Sequence, residues 1–108
     1  MVVRQYEVFW VNLDPTTVGS EIQKTRPCVV LSPDEMNRHL QTLIVAPLTR
    51  SSKAYPSRVS VAIGAQAAWV VLDQLRTVDR RRLGQNMGTL RAPEIKKIKS
   101  VLSEMLVG

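Results

Sequence analysis

Glu21 and Arg26 lie five positions apart in one connecting segment, between strand-like runs at 7–13 and 28–31. A carboxylate can take up a proton and a guanidinium can hold an anion, so a single loop offers acid–base chemistry beside a negative charge. Asp14-Pro15 and Gly19-Ser20 supply tight turns within it. The connection is longer than the closure of two short strands requires, and loops of that kind carry function. Thr49, at the end of a third strand-like run, adds a hydroxyl donor if that strand neighbours the second. The same residues also admit a plainer account: a solvated Glu–Arg pair pinning the loop, with Thr49 as a turn hydroxyl.

The net charge of +6 favours anionic partners, nucleic acid above all, through release of counterions from phosphates. A basic surface that only keeps the protein in solution is the alternative. The clusters Arg80-Arg81-Arg82 and Lys96, Lys97, Lys99 fit either account. Metal-free cleavage of RNA asks for the groups the first loop holds. The ribose 2′-OH must lose a proton, charge on the phosphoryl oxygens must be stabilised, and the leaving 5′-oxygen must gain a proton. Glu21 suits the first task. Arg26 suits the second, because its planar fork makes paired hydrogen bonds to a phosphate that lysine cannot.

Other reactive side chains have competing structural readings. His39 is the sole histidine, a natural acid–base group, yet it stands at the expected end of a short helix where positive charge is favourable anyway. Cys28 falls inside an apolar run and reads as a small core residue rather than a nucleophile. Trp10 and Trp69 read as core or interface residues that can also stack on a base, and Tyr55, in a basic loop, has the better claim to stacking. Asp73-Gln74-Leu75-Arg76 either lines a groove or forms a network in which Arg76 pairs with Asp79 or Asp73.

The elements that position these groups can be read from periodicity. Residues 7–13 alternate, with Phe9, Val11 and Leu13 on one side and Val8, Trp10 and Asn12 on the other. Residues 28–31 read as a buried strand after Pro27. Ser32-Pro33-Asp34-Glu35 reads as a helix start, with Ser32 as cap, Pro33 at the first helical position and Glu35 completing a capping box; the helix ends near His39. Further strands are expected at 42–46, stopped by Pro47, at 58–63, and at 69–72, running on toward residues 76–78. The polar loop 49–57 has no apolar period and is expected to be mobile. Ile95, Ile98, Val101, Leu102, Met105 and Leu106 mark one face of a terminal helix that opens at Pro93 and Glu94. Five or six short strands with one helix indicate a small, strongly curved sheet or partly open barrel with helical covers.

A chain of 108 residues, 44% hydrophobic and 22% charged, is expected to form a single domain over 1–108 without disorder. It lacks an apolar run long enough to cross a bilayer, and no signal peptide is expected at its start. One cysteine excludes an internal disulfide and leaves no Cys/His cluster for zinc. A cytoplasmic protein is expected, with no membrane partner, no metal and no cofactor.

The segment L-D-P-T-T-V-G-S-E-I-Q-K-T-R-P-C-V-V-L-S at 13–32 resembles the first signature of the MazF/PemK (Kid) family of toxin–antitoxin endoribonucleases. I-V-A-P-L-T at 44–49 and L-D-Q-L-R-T-V-D-R-R-R-L at 72–83 resemble two further blocks, in family order. The resemblance implies a mainly β fold with short helices (α+β), a small SH3-like barrel of the MazF/CcdB kind with a C-terminal helix, paired as a homodimer. It implies metal-independent, sequence-specific cleavage of single-stranded RNA, leaving a 2′,3′-cyclic phosphate and a 5′-OH. By matched position the catalytic residues fall on Glu21, Arg26 and Thr49, while Asp73, Gln74 and Arg76 match the third block. With the neighbouring Ser20, Lys24, Thr25, Arg50, Ser51, Lys53 and Tyr55, these form the expected RNA-binding set. Arginine is a poor proton donor, which assigns Arg26 to charge stabilisation.

The chain departs from the family pattern in places. Some relatives use an arginine two positions before the acidic residue of the third block, where this chain has Val71; that weakens a catalytic role for Asp73 and shifts weight to Arg26. Ser20 replaces a histidine found in others, and Arg4-Gln5-Tyr6-Glu7 replaces an Arg-Gly-Asp or Arg-Gly-Glu strand entry. His39 matches no catalytic position. The implied regulator is an antitoxin whose acidic, partly disordered C-terminal tail crosses the dimer. The alternative reading is a non-catalytic protein on the same fold, an RNA binder or a CcdB-like gyrase inhibitor. The gyrase inhibitors, however, end in a Trp-Ile-type tail where this chain has Met105-Leu106-Val107-Gly108, and they lack the Glu21, Arg26 and Thr49 set.

Overall fold

The computed structural model describes residues 1–13 and 24–108. Ser20 and Glu21, and with them most of the first loop, lie outside the described residues. Seven strands form one sheet: β1 (Glu7–Asn12), β2 (Thr25–Val30), β3 (Thr42–Thr49), β4 (Arg58–Ile63), β5 (Gln66–Val71), β6 (Arg76–Asp79) and β7 (Leu83–Thr89). Two α-helices, α1 (Asp34–His39) and α2 (Ala92–Leu106), and two single-turn 3-10 helices, at Leu72–Gln74 and Arg80–Arg82, complete the described elements. The strand path runs β4-β5-β3-β2-β1-β7, with β6 beside β3, and every pair is antiparallel. The sheet bends until β4 approaches β7, giving the expected half-open barrel with a terminal helix. Neither α-helix is long and apolar enough to cross a membrane.

The alternation read in β1 is the key to the core. Phe9, Val11 and Leu13 are buried with Cys28, Val30, Leu43, Val45 and Val78 on one face. Val8 faces the other way, into a cluster with Val29, Leu48, Val59, Val70 and Leu72 that Ile98 and Val101 of α2 cover. The central strands are therefore buried on both faces, which explains the continuous apolar runs in β2 and β3.

Several expected boundaries are corrected. β3 does not stop at Pro47, which pairs opposite Cys28. Leu31 N–H donates to Ile44 O at 2.8 Å, so by the alternation of the ladder the Pro47 nitrogen faces away from β2. That outer edge is changing partners there, from β6 at Val45↔Arg76 to β5 at Leu48↔Val70, so no bond needs the missing N–H. The chain makes the reciprocal switch through a tight turn at Leu72–Gln74, so the run expected to continue from 69–72 becomes two strands. β7 is absent from the sequence reading because it is polar and carries two glycines; it pairs with β1 through register shifts.

At α1, Ser32 does not cap. Its buried hydroxyl donates to Asn37 Oδ1 at 2.6 Å and accepts from Ile44 N–H, while Pro33 occupies the cap position. Glu35 pairs with Arg38 and His39 instead of completing a capping box. The carboxylate that ties a helix start is Glu94. It accepts from Arg91 N–H at 2.8 Å, from the Arg91 side chain at 3.2 Å and from Ala62 N–H of β4 at 2.8 Å. Burial pushes its carboxyl up, but these donors outweigh that and hold it below the usual glutamate range.

Candidate active site

Arg26 and Thr49 line one cavity of about 470 Å³. Arg26 is the second residue of β2, opposite Val11, and its side chain is exposed. Thr49 is the last residue of β3, opposite Trp69 of β5. Adjacency of β2 and β3, the condition set by the sequence, is met. Thr25 and Arg50 line the same space, so the described wall carries two guanidiniums and no carboxylate. Its apolar part comes from Trp10, Pro27, Ile63 and Met87, with Gln66 contributing an amide. Trp10 sits across β1 from Pro27 and remains 37% exposed, large for a tryptophan inside a strand. The arrangement can hold a phosphate on the guanidiniums while a planar group lies against the indole.

Thr49 is also the turn hydroxyl of the plainer account. Its Oγ1 donates to Ser51 O at 3.2 Å and accepts from Ser51 N–H at 3.4 Å. To donate to a phosphate it must release the Ser51 carbonyl. Lys24, next to the cavity residues in sequence, takes a left-handed conformation (φ 67°) and its carbonyl accepts from Leu13 N–H, closing the base of the first loop.

The remaining sequence candidates fall elsewhere. Ser51, Lys53 and Tyr55 lie on the exposed 50–57 loop, whose ring and hydroxyls gather around Arg58. Asp73 accepts from Ser57 Oγ at 2.8 Å and from Arg58 at 3.2 and 3.3 Å. Partial burial pushes the Asp73 carboxyl up, but the Arg58 and Ser57 hydrogen bonds prevail and hold it below the usual aspartate range. Asp79 is held by Arg81. Gln74 and Arg76 are half-buried and do not line the cavity. Val71, at the position of the family arginine, is wholly buried.

His39 lines a different cavity, of about 570 Å³, with Met1, Arg4, Arg38 and Arg80, and pairs with Glu35. Burial pushes the Cys28 thiol up to about 12, with Arg76 pulling the other way, so it is held as an inert thiol. Among the described residues no three His, Cys, Asp or Glu side chains gather to hold a metal. Sequence reasoning missed Ile63, Gln66 and Met87 in the cavity wall. They come from three separate stretches, and nothing in their local pattern marks them.

Residues 4–106 match the description PemK-like, MazF-like toxin of type II toxin-antitoxin system. The chain belongs to that family. Endoribonuclease toxin MazF of Escherichia coli (strain K12) is 32% identical over 101 residues, covering 93% of this chain and 90% of that protein. Endoribonuclease EndoA of Bacillus subtilis (strain 168) is 31% identical over 108 residues, covering 94% and 92%. Among solved structures, MazF from Deinococcus radiodurans superposes with a TM-score of 0.86 at 26% identity, covering 100% of this chain and 99% of that one. A MazE-MazF complex from the same organism gives 0.80 at 25% identity, covering 99% and 98%. The barrel and terminal helix described above are thus those of MazF-like toxins, and the two-arginine cavity is a feature of one.

Proposed function

We propose that this MazF-like toxin is an endoribonuclease that cuts single-stranded RNA without a metal, in the cavity holding Arg26 and Thr49. The observation that carries the reading is the convergence of those two residues on one cavity in a chain whose relatives are named endoribonucleases. Glu21, from the loop that leads into β2, acts as base toward the 2′-OH. The 2′-oxygen attacks the adjacent phosphorus and the bond to the 5′-oxygen breaks. That oxygen leaves with a proton from water or from protonated Glu21. Arg26 and the Thr49 hydroxyl take up the charge that grows on the non-bridging oxygens. Arg50, Lys24 and Lys53 attract the flanking phosphates, and Thr25 offers them a hydroxyl donor.

Cleavage of a fluorescent RNA in EDTA, with mass analysis of the ends, tests this directly. The expected products carry a 2′,3′-cyclic phosphate and a 5′-OH, and Glu21→Gln should be inactive. Cleavage undiminished in that variant removes Glu21 from the mechanism. The same reading makes the toxin a homodimer regulated by an antitoxin with an acidic tail, drawn to the cationic cavity as RNA is. A monomer mass by light scattering at micromolar concentration would contradict the pairing.

A further inference from the structure

We propose that Arg58 is a positioning residue, clamping the 50–57 loop against the end of β5 and thereby setting the Thr49 hydroxyl at the cavity. The proposal rests on the nuclease reading above and gives Asp73 a part that needs no contact with RNA.

Arg58 opens β4, opposite Val71 of β5, and its side chain is only 20% exposed. Each of the three guanidinium nitrogens is engaged with the loop or its anchor. Nε and Nη2 reach the two oxygens of Asp73 at 3.2 and 3.3 Å, the paired geometry that suits a planar fork. Nη1 donates to Ser52 Oγ at 2.8 Å. The guanidinium carbon sits 5.0 Å from the centre of the Tyr55 ring, a cation–π contact. Asp73 also accepts from Ser57 Oγ, so both ends of the loop meet on one ion pair.

From this clamp the link to the cavity runs through Ser52 and, by one peptide bond, Ser51. Ser52 Oγ, held by Arg58, donates to Lys53 O at 2.8 Å. Ser51, its neighbour, clasps Thr49 Oγ1 through both its N–H and its carbonyl. Thr49 lines the cavity. Ser51, Lys53, Ala54, Tyr55 and Pro56 are all exposed, so the loop has little apolar burial to fix it. A polar loop without an apolar anchor takes its position from its few hydrogen bonds, and here they converge on the half-buried Arg58. Lysine at 58 keeps the charge but cannot bridge Asp73 and Ser52 together.

The test is steady-state and single-turnover cleavage of a fluorescent RNA by wild type, Arg58→Lys, Arg58→Ala and Asp73→Asn, each also made with Thr49→Ala. Arg58→Ala should lower kcat by between about ten- and hundredfold, the scale of a small misplacement of a reacting group, with KM changed by less than about threefold. Arg58→Lys should fall between. With Thr49→Ala present, the further loss from Arg58→Ala should shrink below about threefold, because both changes act on one hydroxyl. Amide hydrogen exchange over 51–57, measured without RNA, should quicken in the Arg58 and Asp73 variants. Equal losses in both Thr49 backgrounds, a rise in KM alone, or unchanged exchange would each overturn the proposal. If Arg58→Ala fails to fold, Asp73→Asn, nearly the same in volume, carries the same comparison. Wild type inactive on RNA would overturn the nuclease reading, and the exchange data would then decide the clamp alone.

Discussion

Replacing Arg26 separates the chemistry of the cavity from the stability of the barrel. The residue is exposed at the start of β2, and its backbone, not its side chain, pairs with Val11 of β1. Truncation to alanine removes no core packing, so the unfolding free energy should move by no more than about 0.5 kcal/mol. The effect on cleavage should be far larger. Loss of one donor aimed at transition-state oxygens costs about a hundred- to thousandfold in kcat, or about 3–4 kcal/mol. Binding should weaken only modestly, because Arg50 still lines the cavity. One phosphate contact fewer should make the slope of log K against log salt shallower by about 0.7. Arg26→Lys keeps the charge but not the fork and should recover binding while regaining only part of the rate. Single-turnover cleavage, RNA titration at several salt concentrations and urea unfolding supply the three readings. A kcat for Arg26→Ala within about tenfold of wild type would refute the assignment of the phosphoryl charge to this side chain.

RNA with 2′-deoxyribose at the scissile nucleotide should bind with wild-type affinity and resist cleavage; if it is cut, the 2′-OH is not the nucleophile. Adding RNA to an antitoxin titration should raise the apparent antitoxin dissociation constant in proportion to RNA occupancy, and a constant value would place the two on separate surfaces. Glu94→Gln should destabilise the fold by about 1–2 kcal/mol at neutral pH, since one amide oxygen must replace a carboxylate that meets three donors. The folded carboxyl is held below its unfolded value, so its contribution is complete above about pH 5 and is lost as the pH falls through the depressed value. The gap between Glu94→Gln and wild type should therefore narrow in acid, and a gap that widens would show the sign to be wrong.

What could be read from the sequence follows from where each signal is local. The period of two in β1 places Phe9, Val11 and Leu13 on one face because strand geometry alone dictates it. The bounds of β4 and the buried face of α2 at Ile98 and Val101 are local in the same way. β7 could not be read, since a strand that is largely exposed and pairs along only one described edge needs no alternation. Ser32 misled because a hydroxyl before a helix usually caps it, whereas here burial turned it toward Asn37 and β3. The cavity was half legible. Arg26 and Thr49 have reactive side chains that announce themselves, but Ile63, Gln66 and Met87 become wall only once β4, β5 and β7 curl around Trp10.

The departure at position 71 takes on meaning only in the folded chain. The resemblance puts an arginine there in some relatives, where this chain has Val71. Arg58 is the residue directly across the β4–β5 ladder from Val71. Opposite positions on antiparallel strands stand about 4.5–5.5 Å apart, so a side chain at 58 can reach the same acidic neighbour as one at 71. It does, on Asp73. The guanidinium next to Asp73 in this chain therefore comes from β4, where it braces the 50–57 loop. That pairing leaves Asp73 neutralised within the protein, and Arg26 and Arg50 are the guanidiniums that the described cavity offers to a phosphate.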